Sequence, residues 1–258
     1  MTALNISLAA EPIFHIGSFP VTNAMLGSLL AAGILAVLAR ALSTRIKPVP
    51  GKMQNIAEMA IEFLLNLMDG VTGDRAKTKK FFPIVATIFF FILAMNWSGL
   101  LPFFGSIGLK EVHEGNNVIV PFFRGGSADL NMTVAIAMIS VIAAQVFGVM
   151  YIGGKKHLRK YFNPNPTMAF PGIIEFIGEF TKIISFSFRL FGNIFAGEVL
   201  LLVISNLVPL IAPLPFTFLE IFVGMIQAFV FALLTLVFFT IAATDHEEEH
   251  GAPATAHH

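Results

Sequence analysis

The sequence predicts an all-α membrane protein: about five membrane helices, one interfacial amphipathic helix, and a last pair of helices forming a long, steeply tilted hairpin. Its composition is the first reason, because 56% of the 258 residues are hydrophobic and only 12% are charged, roughly half the charged fraction of a soluble domain. The second is three uncharged apolar runs, each long enough to cross a hydrocarbon core of about 30 Å. They cover 21–39, 81–109 and 130–152. We expect 1–258 to form a single membrane domain.

The apolar stretch 171–244 supplies the last two spans, because it is broken only once, by residues that cannot continue a helix. The breaking residues are Pro209, Pro213 and Pro215. The first arm, from Pro171 to Val208, would be about 57 Å long, nearly twice the hydrocarbon thickness. We therefore expect this helix to tilt steeply along a large surface inside the membrane, which suggests a partner.

The distribution of basic residues predicts the orientation in the membrane. Twelve of the sixteen Lys and Arg residues fall in Arg40–Lys52, Arg75–Lys80 and Lys155–Lys160, and the positive-inside rule places all three stretches in the cytoplasm. An odd number of spans then puts the N-terminal segment 1–20 outside and the polar tail 245–258 inside.

Residues 53–68 repeat apolar positions at helical spacing, with polar residues on the other faces. This pattern predicts either an interfacial helix or a helix packed beneath the first loop, since both need one apolar stripe.

The sequence lacks the features that are typical of several classes of function. There is no cysteine and no basic cluster interleaved with aromatic residues, so we expect no thiol chemistry and no nucleic-acid partner. No phosphate-binding loop or nucleophile elbow is present, and we expect no cofactor or metal. The H-E-x-x-H pattern at His246–His250 lies in the polar tail rather than on a buried helix, which argues against zinc catalysis.

Arg189 lies midway along the fifth span, where an arginine costs at least about 2.5–3.5 kcal/mol on insertion scales. Its guanidinium does not lose its proton, so it needs a counter-charge. The positions three and four residues away on its helix are Ser185, Phe186, Gly192 and Asn193, none of them acidic. The sequence therefore predicts a carboxylate partner on another helix or another subunit.

Spacing relates the other charged residues of the hairpin to Arg189. Glu175, Lys182 and Arg189 are seven residues apart and share one face, whereas Glu198 points roughly 180° away. On the last helix, Glu220 and Gln227 are also seven apart, and the hairpin should bring Glu220 near Glu198 and Gln227 near Arg189. Two neighbouring carboxylates suit a relay that accepts and releases protons.

The remaining polar residues also suit purely structural roles. Glu175 and Glu179 could snorkel or pair with Lys182 near the inner interface, and Asp129 is an expected helix N-cap. Three amides are typical of interhelical hydrogen bonding. They are Asn96, Asn131 and Gln145.

The stretch Ser187–Glu198, with the sequence SFRLFGNIFAGE, resembles the signature of the subunit a family of F-type rotary ATP synthases. The likeness extends through Glu220 and Gln227, through Glu175 and Lys182, and through the regions 96–102 and 127–131. It departs from some relatives at Gly99, where an acidic residue is common, and at Glu220, where others have histidine.

The resemblance implies a non-catalytic stator subunit in a bacterial plasma membrane, beside a ring of c subunits and b-type peripheral stalk subunits. It implies that the ring carboxylate is the missing partner of Arg189, which separates two half-channels with support from Gln227. Glu198, Glu220 and Asn96 would line the outer half-channel, Glu175 would lie towards the inner one, and Asn193 and Lys182 are further residues expected to take part in proton translocation. The sequence leaves two rival functions: a secondary transporter with a midplane Arg/Glu site, which should show an inverted repeat, and an intramembrane protease.

Overall fold

The computed structural model describes residues 10–44, 46–101, 104, 108–113, 116–161, 166–208 and 211–244. Within them the helices are α1 (Asn23–Ser43), α2 (Lys52–Thr72), α3 (Arg75–Ser98), α4 (Leu130–Ile152), α5 (Gly154–Tyr161), α6 (Pro166–Leu207) and α7 (Pro213–Ala242). Five of these, α1, α3, α4, α6 and α7, are long and apolar enough to cross a membrane. The predicted fold class and span count are confirmed. The tail 245–258, Pro209 and residues 1–9 of the N-terminal segment lie outside the described ranges.

Side-chain caps fix where three of the spans begin. Thr22 and Asp74 accept hydrogen bonds from Met25 N and Ala76 N at the starts of α1 and α3. Asp129 accepts one from Asn131 N at 3.0 Å and so caps α4, as the sequence indicated. Each cap satisfies a backbone donor that the first helical turn leaves without a partner.

Two short antiparallel hairpins were not expected from the sequence. Strands β1 (Pro12–Ile16) and β2 (Phe19–Thr22) precede α1, and β3 (Gly108–His113) and β4 (Asn116–Pro121) follow α3. The second hairpin occupies part of the loop that follows the apolar run 81–109. Helix α3 ends at Ser98 and the chain turns at Gly99, so the run is shared between a helix and the loop after it.

Helix α2 combines the two arrangements that its apolar stripe left open. Leu64 and Met68 are fully buried against α3 and α7, whereas Met53, Ile56 and Phe63 are between 60% and 70% exposed. One side of the helix therefore joins the bundle. The other side offers apolar surface at the end of the bundle where the basic stretches lie, as an interfacial helix does.

The core consists of two neighbouring clusters. One is formed by residues such as Ile92, Met95, Ile136, Leu190 and Ala228. The other surrounds Phe81, which makes edge contacts with Phe147, Tyr151 and Phe239. A buried hydrogen bond of 2.8 Å between Ser140 Oγ and Thr235 Oγ1 also ties α4 to α7.

Phe81→Ala is expected to destabilise the chain by about 3–5 kcal/mol, because the ring is 0% exposed and its removal leaves a cavity. Thermal unfolding in detergent measures the effect. Phe63→Ala is the matched control, since Phe63 is 60% exposed and its loss should barely move the transition. Equal transition temperatures for the two variants would count against this packing.

Helix α6 is longer than the sequence predicted, with 42 residues and Pro171 inside it. At 1.5 Å per residue it extends over about 63 Å, roughly twice the hydrocarbon thickness. This length supports the expected tilt. Charged residues lie in the first, middle and last thirds of this helix, and their surroundings differ: some contact the bundle and others are exposed.

Candidate functional site along the α6–α7 hairpin

Arg189 lies on an open face of α6. The residue is exposed, as are Ser185, Gly192 and Asn193, the neighbours one helical turn away. The described part of the chain supplies no hydrogen bond or ion pair to its guanidinium. The sequence-based expectation that no carboxylate of its own helix pairs with Arg189 agrees with this geometry.

The opposite face of the same helix packs into the bundle. Phe186, Leu190 and Ile194 are buried in the core, with Phe186 stacked on Phe238 of α7 at 5.1 Å between ring centroids. The packing fixes the rotation of α6, so Arg189 points away from the chain's own interior. Small residues lie next to the arginine on this face. Ser185 and Gly192 are about one helical turn away and Ala196 about two, and all three are exposed.

Glu175 and Lys182 are less exposed than Arg189, although the three residues follow one another at intervals of seven. Both are half-buried, and Lys182 Nζ donates to Glu179 Oε1 at 2.7 Å while lying 4.6 Å from the Phe238 ring centroid. A helix drifts by about 20° per heptad. Two heptads therefore rotate Arg189 by about 40° relative to Glu175, enough to move it from the bundle to the open face.

Glu198 forms an ion pair that the sequence did not predict. Arg124, in the segment between β4 and α4, donates to Glu198 Oε2 from Nη2 at 3.1 Å and from Nε at 3.3 Å. The arginine is only 9% exposed, and its guanidinium carbon lies 5.9 Å from the Phe195 ring centroid. The sequence signal for this pair is weak: Arg124 is one of two Lys or Arg residues in the segment between α3 and α4, and the other is Lys110.

Glu220 lies beside Glu198, as the hairpin predicted. Its side chain is buried, and its carboxylate fills the space over Gly197, where a Cβ would overlap it. Only glycine allows α7 to bring a carboxylate this close to α6. The two acidic groups consequently form a pair at one end of the hairpin, one against Arg124 and one against Gly197.

Asn96 is buried between α3 and α7. Its Nδ2 donates to Gly224 O at 2.8 Å, and the neighbouring Trp97 Nε1 donates to Ile221 O at 3.1 Å. The interhelical role expected for this amide is present, and it places Asn96 one turn of α7 from Glu220. Gln227 is half-buried, and among the described residues it makes no hydrogen bond to Arg189.

The polar residues of the hairpin, together with the polar residues that contact it, thus lie in three places. Glu198, Glu220, Asn96 and Arg124 gather at the end of the bundle that holds the starts of α4 and α7, whereas Glu175, Glu179 and Lys182 lie towards the other end. Arg189 and Asn193 lie between them on the open face. Among the described residues, no group of three or more His, Asp or Glu side chains is arranged to hold a metal.

Comparison with known proteins identifies the family. Residues 24–240 match the model of the family described as ATP synthase A chain. The ATP synthase subunit a of Moorella thermoacetica is 33% identical over 232 residues, which cover 88% of this chain and 93% of that protein. Because most of its length is matched, from near the start of α1 to near the end of α7, the chain belongs to the ATP synthase A chain family.

Proposed function

We propose that the chain is the proton-translocating stator subunit of a rotary ATP synthase, in which Arg189 separates two offset half-channels that serve a carboxylate on the rotating c ring. The observation that carries the proposal is the position of Arg189. A permanent cation lies at membrane depth, exposed on a face lined by small residues, with no counter-ion from the described residues of its own chain.

The physical role of Arg189 follows from its fixed charge. A ring carboxylate that approaches the guanidinium is stabilised in its ionised form, so it releases its proton into one half-channel. After passing the arginine it takes up a proton from the other. A hydrated proton cannot easily cross the same positive charge, so ion flow has to travel with the ring.

The outer half-channel is assigned to Glu198, Glu220 and Asn96. Glu220 is buried over Gly197 and beside Glu198, which provides two neighbouring acceptor sites where a proton can be handed on. The inner half-channel is assigned to Glu175 and Lys182, at the opposite end of α6. Asn193 lies on the proposed ring-facing side with Arg189, and Gln227 of α7 is assigned to the same path, although it makes no hydrogen bond to the arginine among the described residues.

The ring of c subunits is the partner proposed for the open face of α6, and b-type stalk subunits are further partners within the complex. The chain would reside in a bacterial plasma membrane with its N-terminus outside and its C-terminus in the cytoplasm. It conducts ions without hydrolysing nucleotide itself. A transporter with a midplane site would instead enclose the Arg/Glu pair inside its bundle, whereas Arg189 lies on the outer face of this one.

Purification of the assembled complex with and without this chain tests the proposed function. We expect ATP hydrolysis by the peripheral subunits in both preparations, but ATP-driven proton uptake into vesicles only when the chain is present. Proton or sodium movement by the chain alone, without the ring, would favour the transporter instead.

A further inference from the structure

A polar cavity lies between α4, α5, α6 and α7, at the end of the bundle away from Glu198 and Glu220. It is small, with a volume of about 10 Å³, which is room for about one water molecule. Its polar wall is formed by Gln145, Tyr161, Glu175, Glu179 and Lys182. A cavity with this many polar groups suits water, whereas purely apolar cavities stay dry.

Gln145 organises one side of the cavity. Its Oε1 accepts a hydrogen bond from Tyr161 Oη at 3.0 Å and lies 2.7 Å from His157 Nε2. Because an amide oxygen can only accept, His157 donates from Nε2. The imidazole ring in turn lies so close to Gly148 that a Cβ there would overlap it. The short helix α5 is therefore held against α4 by polar contacts.

Tyr161 faces the acidic side of the cavity. The residue is only 7% exposed. The pKa of Tyr161 is raised to about 12, mainly by burial and in addition by the nearby Glu179 and Glu175 carboxylates, while the hydrogen bond with Gln145 lowers it in part. The phenol therefore keeps its proton at physiological pH and acts as a neutral hydrogen-bonding group between Gln145 and the carboxylates.

We propose that this cavity holds a water molecule in the inner half-channel, and that Tyr161, Gln145 and this water form a hydrogen-bond chain from cytoplasmic water to Glu175 and Glu179. The proposal rests on the proposed function, since it assigns this end of the hairpin to the inner half-channel. It adds α4 and α5 to the proton path. The titratable groups that face the cavity are Tyr161, Glu175, Glu179 and Lys182, with His157 behind Gln145.

The two tyrosines of the chain provide a matched test. Tyr161→Phe removes the hydroxyl that bonds Gln145 but keeps the ring. Tyr151→Phe, at the end of α4, removes a buried hydroxyl that has no hydrogen-bond partner within the described residues. In inverted vesicles of the whole complex, we expect Tyr161→Phe to slow ATP-driven proton uptake by roughly 3- to 10-fold, and Tyr151→Phe to leave it unchanged.

Water access to the cavity is tested separately in the same complex. The sequence has no native cysteine, so Gln145→Cys introduces a single thiol in the wall and Ser140→Cys a single thiol in the dry core, where Ser140 is 0% exposed. Silver ions added from the cytoplasmic side should react with the thiol at position 145 and protect it from later maleimide labelling in detergent, a readout that does not depend on the pumping rate of the variant. The Ser140→Cys thiol should not react with silver, and its complex should stay active.

Two results would overturn the proposal: Tyr161→Phe pumping at the wild-type rate, or a thiol at position 145 that silver does not reach. Should Tyr161→Phe fail to assemble, silver access to position 145 decides alone. A failure of the proposed function would give a different result. The wild-type complex would then not pump protons, whether or not silver reacts with the thiol at position 145.

Discussion

Arg189→Ala is expected to abolish ATP-driven proton pumping while the chain still inserts and assembles. The side chain is exposed, and the packing of α6 depends on the opposite face, so its removal leaves the bundle intact. What is lost is the fixed charge that makes the ring carboxylate release its proton. Dye quenching in inverted vesicles measures pumping, and native gel electrophoresis of the solubilised complex measures assembly.

Arg40→Ala is the control for this prediction, because Arg40 is also exposed but lies in the last turn of α1 among the basic residues at the membrane surface. It should pump at the wild-type rate. Coupled pumping by an assembled Arg189→Ala complex would remove Arg189 from the mechanism.

Glu220→Gln is expected to slow proton transport by about 100-fold, the low end for loss of a positioned proton carrier, because Glu198 remains. Glutamine has nearly the same size, so it should still pack over Gly197, but an amide cannot take up and release the proton. The rate of ATP synthesis under a limiting proton gradient measures the effect.

Glu62→Gln is its matched control, since Glu62 is an exposed residue of α2, a helix that is not part of the hairpin. It should leave synthesis unchanged. An unaltered rate for Glu220→Gln under the same gradient would take Glu220 out of the relay.

Helix α4 shows how much of the fold the sequence could predict. The uncharged run 130–152 and its N-cap at Asp129 coincide with the observed helix. Helix α3 shows where prediction from the sequence fails. Hydropathy indicates which residues lie within the membrane, but it does not indicate where a helix begins or ends. Its first turns take in the basic residues after Asp74, and its last turn stops at Ser98, well before the apolar run does.

The site was predictable to the extent that it depends on one helix or on the hairpin. Periodicity indicated the isolation of Arg189 on α6, and the hairpin placed Glu220 beside Glu198. The ion pair of Glu198 with Arg124 joins a loop to a helix 74 positions along the chain, and no periodic pattern encodes such a contact. The outward turn of Arg189 relative to Glu175 arises from heptad drift, which a simple spacing of seven conceals.

Disulfide cross-linking tests most directly whether Arg189 faces the ring. Ser185 and Ser187 lie two residues apart on α6, the first exposed and the second 0% exposed, and the sequence has no native cysteine. With a cysteine placed beside the ring carboxylate of the c subunit, Ser185→Cys should form a cross-link in the assembled complex and Ser187→Cys should not. A cross-link from Ser187→Cys alone, or from neither position, would contradict the account.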